Sequence, residues 1–321
     1  MTLTITAPLT GGTAADAAAI LHPPTSVVRV FDDAELERNA REGFAVARGL
    51  FSADEVAGLR EHYMRLRAQG SYAGDFAGVP RTPGGGDDDA RYTDPKPDPL
   101  VKYPRMIHMH RWDEVSLRWL VDPRIGTALR QLCGVDPYAV QTMIYFKPAG
   151  ARGQAMHQDQ FYLRVQPGTC MAAWMALDPC DEENGCMKVV PGTHNLPVLC
   201  TERANTIESF TDTTVPIPPG KKLVPVPMAP GDVFFFNGSL IHGSGPNFST
   251  DRFRRSLIGH YITGGASQVA KFYHPVLRMD GSVVELGVSE RGGPCGRWVD
   301  DDGEVVELFD PNARPEGPEH E

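Results

Sequence analysis

CMAAWMALDPCDEENGCMKVV, residues 170–190, is the stretch that decides the fold class. Two short apolar runs, CMAAWMAL (170–177) and CMKVV (186–190), flank a polar link containing Asn184-Gly185. Apolar runs this short, bounded by turn residues, read as strands rather than helices. Asn-Gly is the favoured two-residue hairpin turn because both positions tolerate positive φ, so the stretch predicts two strands joined as a hairpin. The same texture continues on both sides, in AVQTMIYFK (139–147), AMHQDQFYLRV (155–165), KLVPVPM (222–228), DVFFFN (232–237), SLIHGS (239–244) and RRSLIGHYIT (254–263). Many short strands with Gly- and Pro-rich turns predict an antiparallel sandwich or jelly roll, not a parallel sheet.

The N-terminal side reads differently. Ser52-Ala53-Asp54-Glu55 has the spacing of a capping box, and Val56, Leu59, Tyr63 and Leu66 then keep one helical stripe apolar up to Gly70. A second helical stretch runs from about Asp113 to Leu132, with Pro123 as its break. Residues 1–27, rich in Thr, Ala and Pro, predict a flexible arm. Residues 70–101 are dense in Gly, Pro and Asp and predict a lid-like loop. Asp302-Gly303, between WVDD and EVVELF, predicts one more hairpin. The expected organisation is one domain over 28–321: a helical part at about 33–134, a jelly-roll core at about 139–275 and a C-terminal hairpin extension at 276–310.

Composition narrows the class. The 321 residues carry a formal net charge of −10, which argues against a nucleic-acid partner because phosphate backbones need a basic footprint. No apolar run approaches the roughly 20 residues of a membrane span. No Lys or Arg precedes Arg29, so the start lacks the charged signature of a secretory signal. Six cysteines without a CxxC pair predict reduced thiols and a cytoplasmic setting. The expected partner is a small-molecule substrate, and oligomeric state is not legible.

Two histidines and an aspartate carry the chemistry. His157 and Asp159 stand one residue apart in GQAMHQDQFYL, and His242 lies in FFFNGSLIHGSG. Two imidazoles and one carboxylate can hold a divalent transition metal on one face and leave other positions open. His-x-Asp is a weak signal by itself. In a strand, however, residues i and i+2 share a face, so His157 and Asp159 would point together while Gln158 faces away. His108 and His110 form a rival pair without a nearby carboxylate, better read as pocket lining. His194 is a candidate to buttress the site. Gln141, Tyr145 and Lys147 alternate on one face of their strand.

Read in order, EGFAVARGLFSADEVAGLREHY (42–63), MHQDQFYL (156–163), AAWMALDPCDEENGCMKVVPGTH (172–194), GDVFFFNGSLIHGSGPN (231–247) and FRRSLIGHY (253–261) resemble the phytanoyl-CoA dioxygenase family of Fe(II)/2-oxoglutarate oxygenases. The resemblance covers about residues 40–262. It implies an α+β chain with a mainly β core, a double-stranded β-helix or cupin-like jelly roll flanked by N-terminal helices. It implies His157, Asp159 and His242 as iron ligands and catalytic residues, and Arg254 as the grip on the distal carboxylate of 2-oxoglutarate. A guanidinium suits that role through two parallel hydrogen bonds. Arg255 is the rival, separated from Arg254 by one step of strand register. Ser244, Trp174 and Tyr145 match positions beside the cosubstrate; Gln141, Lys147 and His108 are the expected substrate side.

The implied cofactors are Fe(II), 2-oxoglutarate and O2, with ascorbate helpful in assays. The implied reaction is hydroxylation of an unactivated C–H with release of succinate and CO2. A carboxylate at 159 favours this over halogenation, which needs a small residue there. Desaturation, epoxidation and ring closure are alternative outcomes of the same centre. A non-catalytic jelly-roll binding module predicts a missing ligand or a missing arginine, yet all four residues are present. A zinc hydrolase would not need Arg254. An acidic chain offers no basic cluster for a CoA thioester, and its Ala-, Gly-, Pro- and Asp-rich bias points to an intermediate of bacterial specialised metabolism.

Overall fold

A computed structural model describes residues 11–69, 105–289, 297–299 and 305–307. The expected lid at 70–101 lies outside the described residues. The strands, in chain order, are β1 (Phe44–Ala47), β2 (Arg105–Ile107), β3 (Pro137–Tyr145), β4 (Gln154–His157), β5 (Cys170–Ala176), β6 (Met187–Val189), β7 (Glu202–Arg203), β8 (Thr213–Thr214), β9 (Val224–Val226), β10 (Val233–Asn237), β11 (His242–Ser244), β12 (Ser256–Thr263), β13 (Gln268–Ala270), β14 (Val276–Arg278), β15 (Val283–Val284), β16 (Gly287–Ser289), β17 (Arg297–Val299) and β18 (Val305–Glu307). An eight-stranded sheet runs β1-β10-β5-β12-β3-β14-β15, with β2 also on β3, and a four-stranded sheet runs β4-β11-β6-β9. Apart from the parallel β13–β16 pair, every named pairing is antiparallel. This is the jelly-roll arrangement of two sheets.

The large sheet is apolar on both faces, and side-chain parity sorts it. On β5, Ala172, Trp174 and Ala176 face the small sheet, together with Phe234 and Phe236 of β10 and Ile258 of β12. Met171, Ala173, Met175, Val233, Phe235 and Leu257 face the helices. The Phe234–Phe236 run therefore serves two cores. Phe235 meets Phe31 edge-on at 5.7 Å, while Phe234 and Phe236 stack at 4.8 Å on the other side. Each such burial contributes about 1.5–3 kcal/mol.

Ser52 caps the helix Ala53–Ala68 with both capping-box bonds, and Val56, Leu59, Tyr63 and Leu66 are buried. The second helical stretch divides as expected into Glu114–Leu120 and Pro123–Cys133, with Pro123 opening the second piece, where its missing N–H costs nothing. Arg124 binds Glu55 and Asp122 in a buried ion cluster that ties these helices together.

Several expectations need correction. Asn184-Gly185 does not close a hairpin. β5 pairs with β10 and β12, whereas β6 belongs to the other sheet, so residues 177–186 cross between sheets. The physical reason is that β5 is buried on both faces and must be central. The crossover turn is held by Asn184, whose Oδ1 accepts from the Asp181 N–H and whose Nδ2 donates to Pro179 O. The N-terminal arm is not loose throughout. Ala14–Ile20 is a helix with its own capping box at Thr13, and the Gly12 N–H donates to Asp113. β14 and β15 extend the large sheet rather than starting a separate extension. The run 155–165 is a strand only to His157. Cys200 is disulfide-bonded, against the expectation of reduced thiols throughout; Cys133, Cys170, Cys180 and Cys186 are free. The tail hairpin stands, as β17 pairs with β18 around residues outside the described set.

Candidate functional site

His157 ends β4 and lies directly across from His242, which begins β11. Asp159 reaches them by another route than the shared strand face. The chain turns helical after His157, Asp159 takes αR angles, and Gln160–Leu163 forms a single turn. That corner swings the carboxylate back beside the imidazoles. Gln158 points away, as expected, and pins the corner. Its amide donates to Pro197 O and Ser239 O, and its oxygen accepts from the Leu199 N–H.

The three side chains converge, with one donor atom from each lying within 4.8 Å of the others. Asp159 Oδ1 lies 3.4 Å from His157 Nε2 and 3.6 Å from His242 Nε2. First-row ions bond such donors at about 2.0–2.2 Å, so neighbouring ligands sit about 3 Å apart and only a slight contraction is needed. Each imidazole is set for this. His157 Nδ1 lies 2.8 Å from Ala155 O and His242 Nδ1 lies 2.9 Å from Leu240 O. A carbonyl only accepts, so the proton stays on Nδ1 and the Nε2 lone pair faces the centre. Phe236 packs against the His242 ring at 4.4 Å.

Electrostatics agree with this donor set. Burial pushes the Asp159 carboxyl up, but the imidazoles of His242, His260 and His157 outweigh it and hold the group well below the usual carboxylate range. Burial, reinforced by His157, pushes His242 down to about 4, keeping its ring neutral. The second carboxylate oxygen is also engaged: Asp159 Oδ2 lies 3.1 Å from His260 Nε2. Sequence reading did not assign His260 a role. The signal was parity, since residues 254, 256, 258 and 260 fall on one face of β12 and its approach.

That parity also separates the two arginines. Arg255 points outward and is held by Asp178 through two bonds of 2.7 and 2.8 Å. Arg254 points between the sheets, is buried, and has no carboxylate partner among the described residues. Its Nη1 donates to Ser256 Oγ, its Nε has no partner, and its Cζ sits 5.2 Å from the Trp174 ring centre. Burial lowers the Arg254 guanidinium from its usual range. A buried cation without a counter-ion is expensive, which is the condition of a guanidinium awaiting an anionic ligand.

The other expected residues fall around these two centres. Tyr145 pairs across from Ser256, and its hydroxyl donates to Gln154 Oε1 at 3.3 Å; Gln154 Nε2 lies 3.1 Å from His157 Nε2. Lys147 is buried, and its ammonium donates to Gly185 O, Ser244 Oγ and Gly245 O. Burial, with Arg254 adding to it, holds that amine well below its usual range. The Ser244 hydroxyl is thus committed to Lys147 and to the Gln154 N–H. Gln141 is buried across from His260. His108 is buried with φ +56. Among the described residues no hydrogen bond joins His194 to the triad; it packs under Gly43 with Nε2 3.2 Å from Ala40 O.

The phytanoyl-CoA dioxygenase family model matches residues 40–256. The chain is similar to a phytanoyl-CoA dioxygenase domain-containing protein of Danio rerio, 26% identical over 68% of this chain and 86% of that protein. It is also similar to a probable phytanoyl-CoA dioxygenase of Caenorhabditis elegans, 35% identical over 46% of this chain and 51% of that one. For several curated relatives the match spans about half their length. Among solved structures, the epimerase SnoN from nogalamycin biosynthesis, in complex with Fe3+, α-ketoglutarate and nogalamycin RO, superposes with TM-score 0.56 at 22% identity over 81% of this chain and 96% of that one. EctD from S. alaskensis, with 2-oxoglutarate and 5-hydroxyectoine, gives 0.53 at 22% over 76% and 80%. Among the described residues no helix is long and apolar enough to cross a membrane. The chain belongs to the phytanoyl-CoA dioxygenase family and is an enzyme of the iron- and 2-oxoglutarate-dependent oxygenase class.

Proposed function

We propose that this protein hydroxylates an unactivated C–H bond of a small molecule, an intermediate of bacterial biosynthesis, consuming 2-oxoglutarate and O2. The observation that carries the reading is the convergence of His157, Asp159 and His242 from β4, the following corner and β11. The donor set fits ferrous iron, with two neutral nitrogens and one ionised oxygen on one side. When bound, iron with 2-oxoglutarate and O2 supplies the oxidising chemistry that ends in oxygenated product, succinate and CO2.

The chain's own residues hold and shape that chemistry. The carbonyls of Ala155 and Leu240 fix both imidazoles in the ligand tautomer. His260 engages Asp159 Oδ2 and leaves Oδ1 for the metal. Arg254 takes the distal carboxylate of 2-oxoglutarate, beside Trp174. Lys147 draws the Ser244 hydroxyl and the turn carbonyls together under it. Arg254 and Lys147 are both buried, which keeps that end of the site from solvent. Residues 28–321, with the helix Ala14–Ile20 packed into the same core, act as one catalytic domain, supported by a single sheet that gathers strands from β1 to β15. A cytoplasmic location stands as a proposal against the Cys200 disulfide, and cell fractionation tests it.

Succinate formation with Fe(II), ascorbate and 2-oxoglutarate tests the activity, comparing wild type with His157→Ala. Equal succinate from both would defeat it. Product mass then separates a gained oxygen atom from the loss of two hydrogens that desaturation or ring closure gives. Nogalamycin-pathway enzymes among the structural neighbours support a biosynthetic substrate.

A further inference from the structure

We infer that His108, His110 and His260 form one wall of the substrate site, and that the substrate bound there carries hydroxyl groups. The inference rests on the oxygenase reading and adds to it the class of the primary substrate.

The observation is an accumulation of buried imidazole nitrogens without partners. Both ring nitrogens of His108, Nε2 of His110 and Nδ1 of His260 are sealed from solvent and unbonded. Native interiors leave few polar groups in this state, and four in one neighbourhood point to an absent ligand. The three rings are neighbours: His108 lies 5.8 Å from His110, and its ring feels His260. The wall touches the metal site directly, because His260 Nε2 faces Asp159. Gln141 pairs across from His260 and extends the same surface.

The backbone holds this arrangement at a cost. His108 follows β2, donates its N–H to Thr142 O and sits at φ +56, a region non-glycine residues rarely enter. Such strain collects where a side chain must be aimed. His110 is fixed by Thr142, whose hydroxyl meets both its backbone N–H and Nδ1. Only its Nε2 is left to act.

The chemistry of the wall selects the ligand. A carboxylate accepts, so the His260 Nε2–H faces Asp159 and leaves Nδ1 as the ring nitrogen turned to the wall. A hydroxyl, which both donates and accepts, can meet that nitrogen. His108 offers one donor and one acceptor, which hydroxyl groups satisfy in both directions. Burial first, then Arg111, pushes His108 down to about 2 and His110 to about 3, so both stay neutral near pH 7. Neither of these two rings gives a charged ligand an ion pair. The nearby Arg111 bonds the carbonyls of Phe272 and His274 through Nη2 and leaves its Nε unpartnered. Phe272 lies tilted against His108 at 4.6 Å, giving an apolar surface for the C–H face of such a molecule.

Calorimetric titration of the full-length protein under argon, with and without Fe(II) and 2-oxoglutarate, tests this with methyl glucosides and inositol as neutral polyols and octanoate as an acyl anion. Polyol binding to wild type, at least about tenfold tighter than to His108→Phe, supports the wall. Preference for octanoate, no polyol binding, or equal polyol binding by wild type and His108→Phe overturns it. His108→Asn, suited to positive φ, is read in the same way if the Phe variant does not fold. A wild type that forms no succinate would sink the oxygenase reading alone, since the titration without iron still reports on the wall.

Discussion

Replacing Arg254 with methionine separates a structural arginine from a ligand-binding one, because the two roles predict opposite changes in stability. In the ligand-free protein the Arg254 guanidinium is buried, with one bond to Ser256 and an unpartnered Nε. A methionine of similar volume removes that desolvated charge. Replacing buried charged groups by apolar ones is neutral to stabilising by about 1–4 kcal/mol. At about 2–4 °C per kcal/mol for a large domain, the ligand-free Tm should hold or rise by up to about 16 °C. Ligand binding moves the other way. Two charge-assisted bonds to a carboxylate contribute about 1.5–3 kcal/mol each, so their loss weakens 2-oxoglutarate binding by about 10²–10⁴-fold. Wild type at a hundredfold excess over Kd gains about 2.7 kcal/mol from the cosubstrate, and the variant gains almost none. Arg254→Lys, which keeps charge but loses the fork, should fall between. Scanning fluorimetry with and without 2-oxoglutarate and Mn(II), with calorimetry for Kd, reads both changes. A variant that loses several degrees without ligand yet binds 2-oxoglutarate within threefold of wild type would refute the assignment.

His260→Leu should weaken Co(II) binding by about 10–100-fold through loss of the Asp159 Oδ2 partner, and His260→Gln, which keeps a donor, should recover much of it; the cobalt absorption spectrum follows the titration. In Gly153→Ala the new Cβ would overlap Ser244 O, pushing β11 from β4 and lowering both Tm and metal affinity. Acid should expose the helical ion cluster. Burial pushes Glu55 up, but bonds from Arg124, Ser52 and His22 outweigh it and leave its pKa at about 2 against 4.5. That depressed pKa contributes stability fully present above about pH 4.5, lost as pH falls toward 2, and worth about 3 kcal/mol at most. Urea midpoints at pH 5 and pH 3 should therefore fall further in wild type than in Glu55→Gln, and parallel slopes would count against it.

Local chemistry was readable where local chemistry decides. The Ser52 capping box, the stripe from Val56 to Leu66 and the Pro123 break all act through neighbours in sequence, and all stand in the structure. Donor types were readable too, because only certain side chains bind a divalent ion. The misreadings share one cause. Asn184-Gly185 looks like a hairpin turn, but strand partners are chosen by which faces must be buried, and β5 needed neighbours on both edges. His157 and Asp159 look like one strand face, but the corner at Asp159 depends on Gln158 reaching Pro197, Leu199 and Ser239.

The sequence by itself determined which groups could form the site: two imidazoles, a carboxylate and a pair of adjacent arginines. Only the tertiary structure decided which arginine turns inward, that His260 holds Asp159, and that three imidazoles with unbonded ring nitrogens collect beside it. Residue type fixes what a group can bond. Strand register and sheet pairing, set by burial across distant segments, fix what it meets.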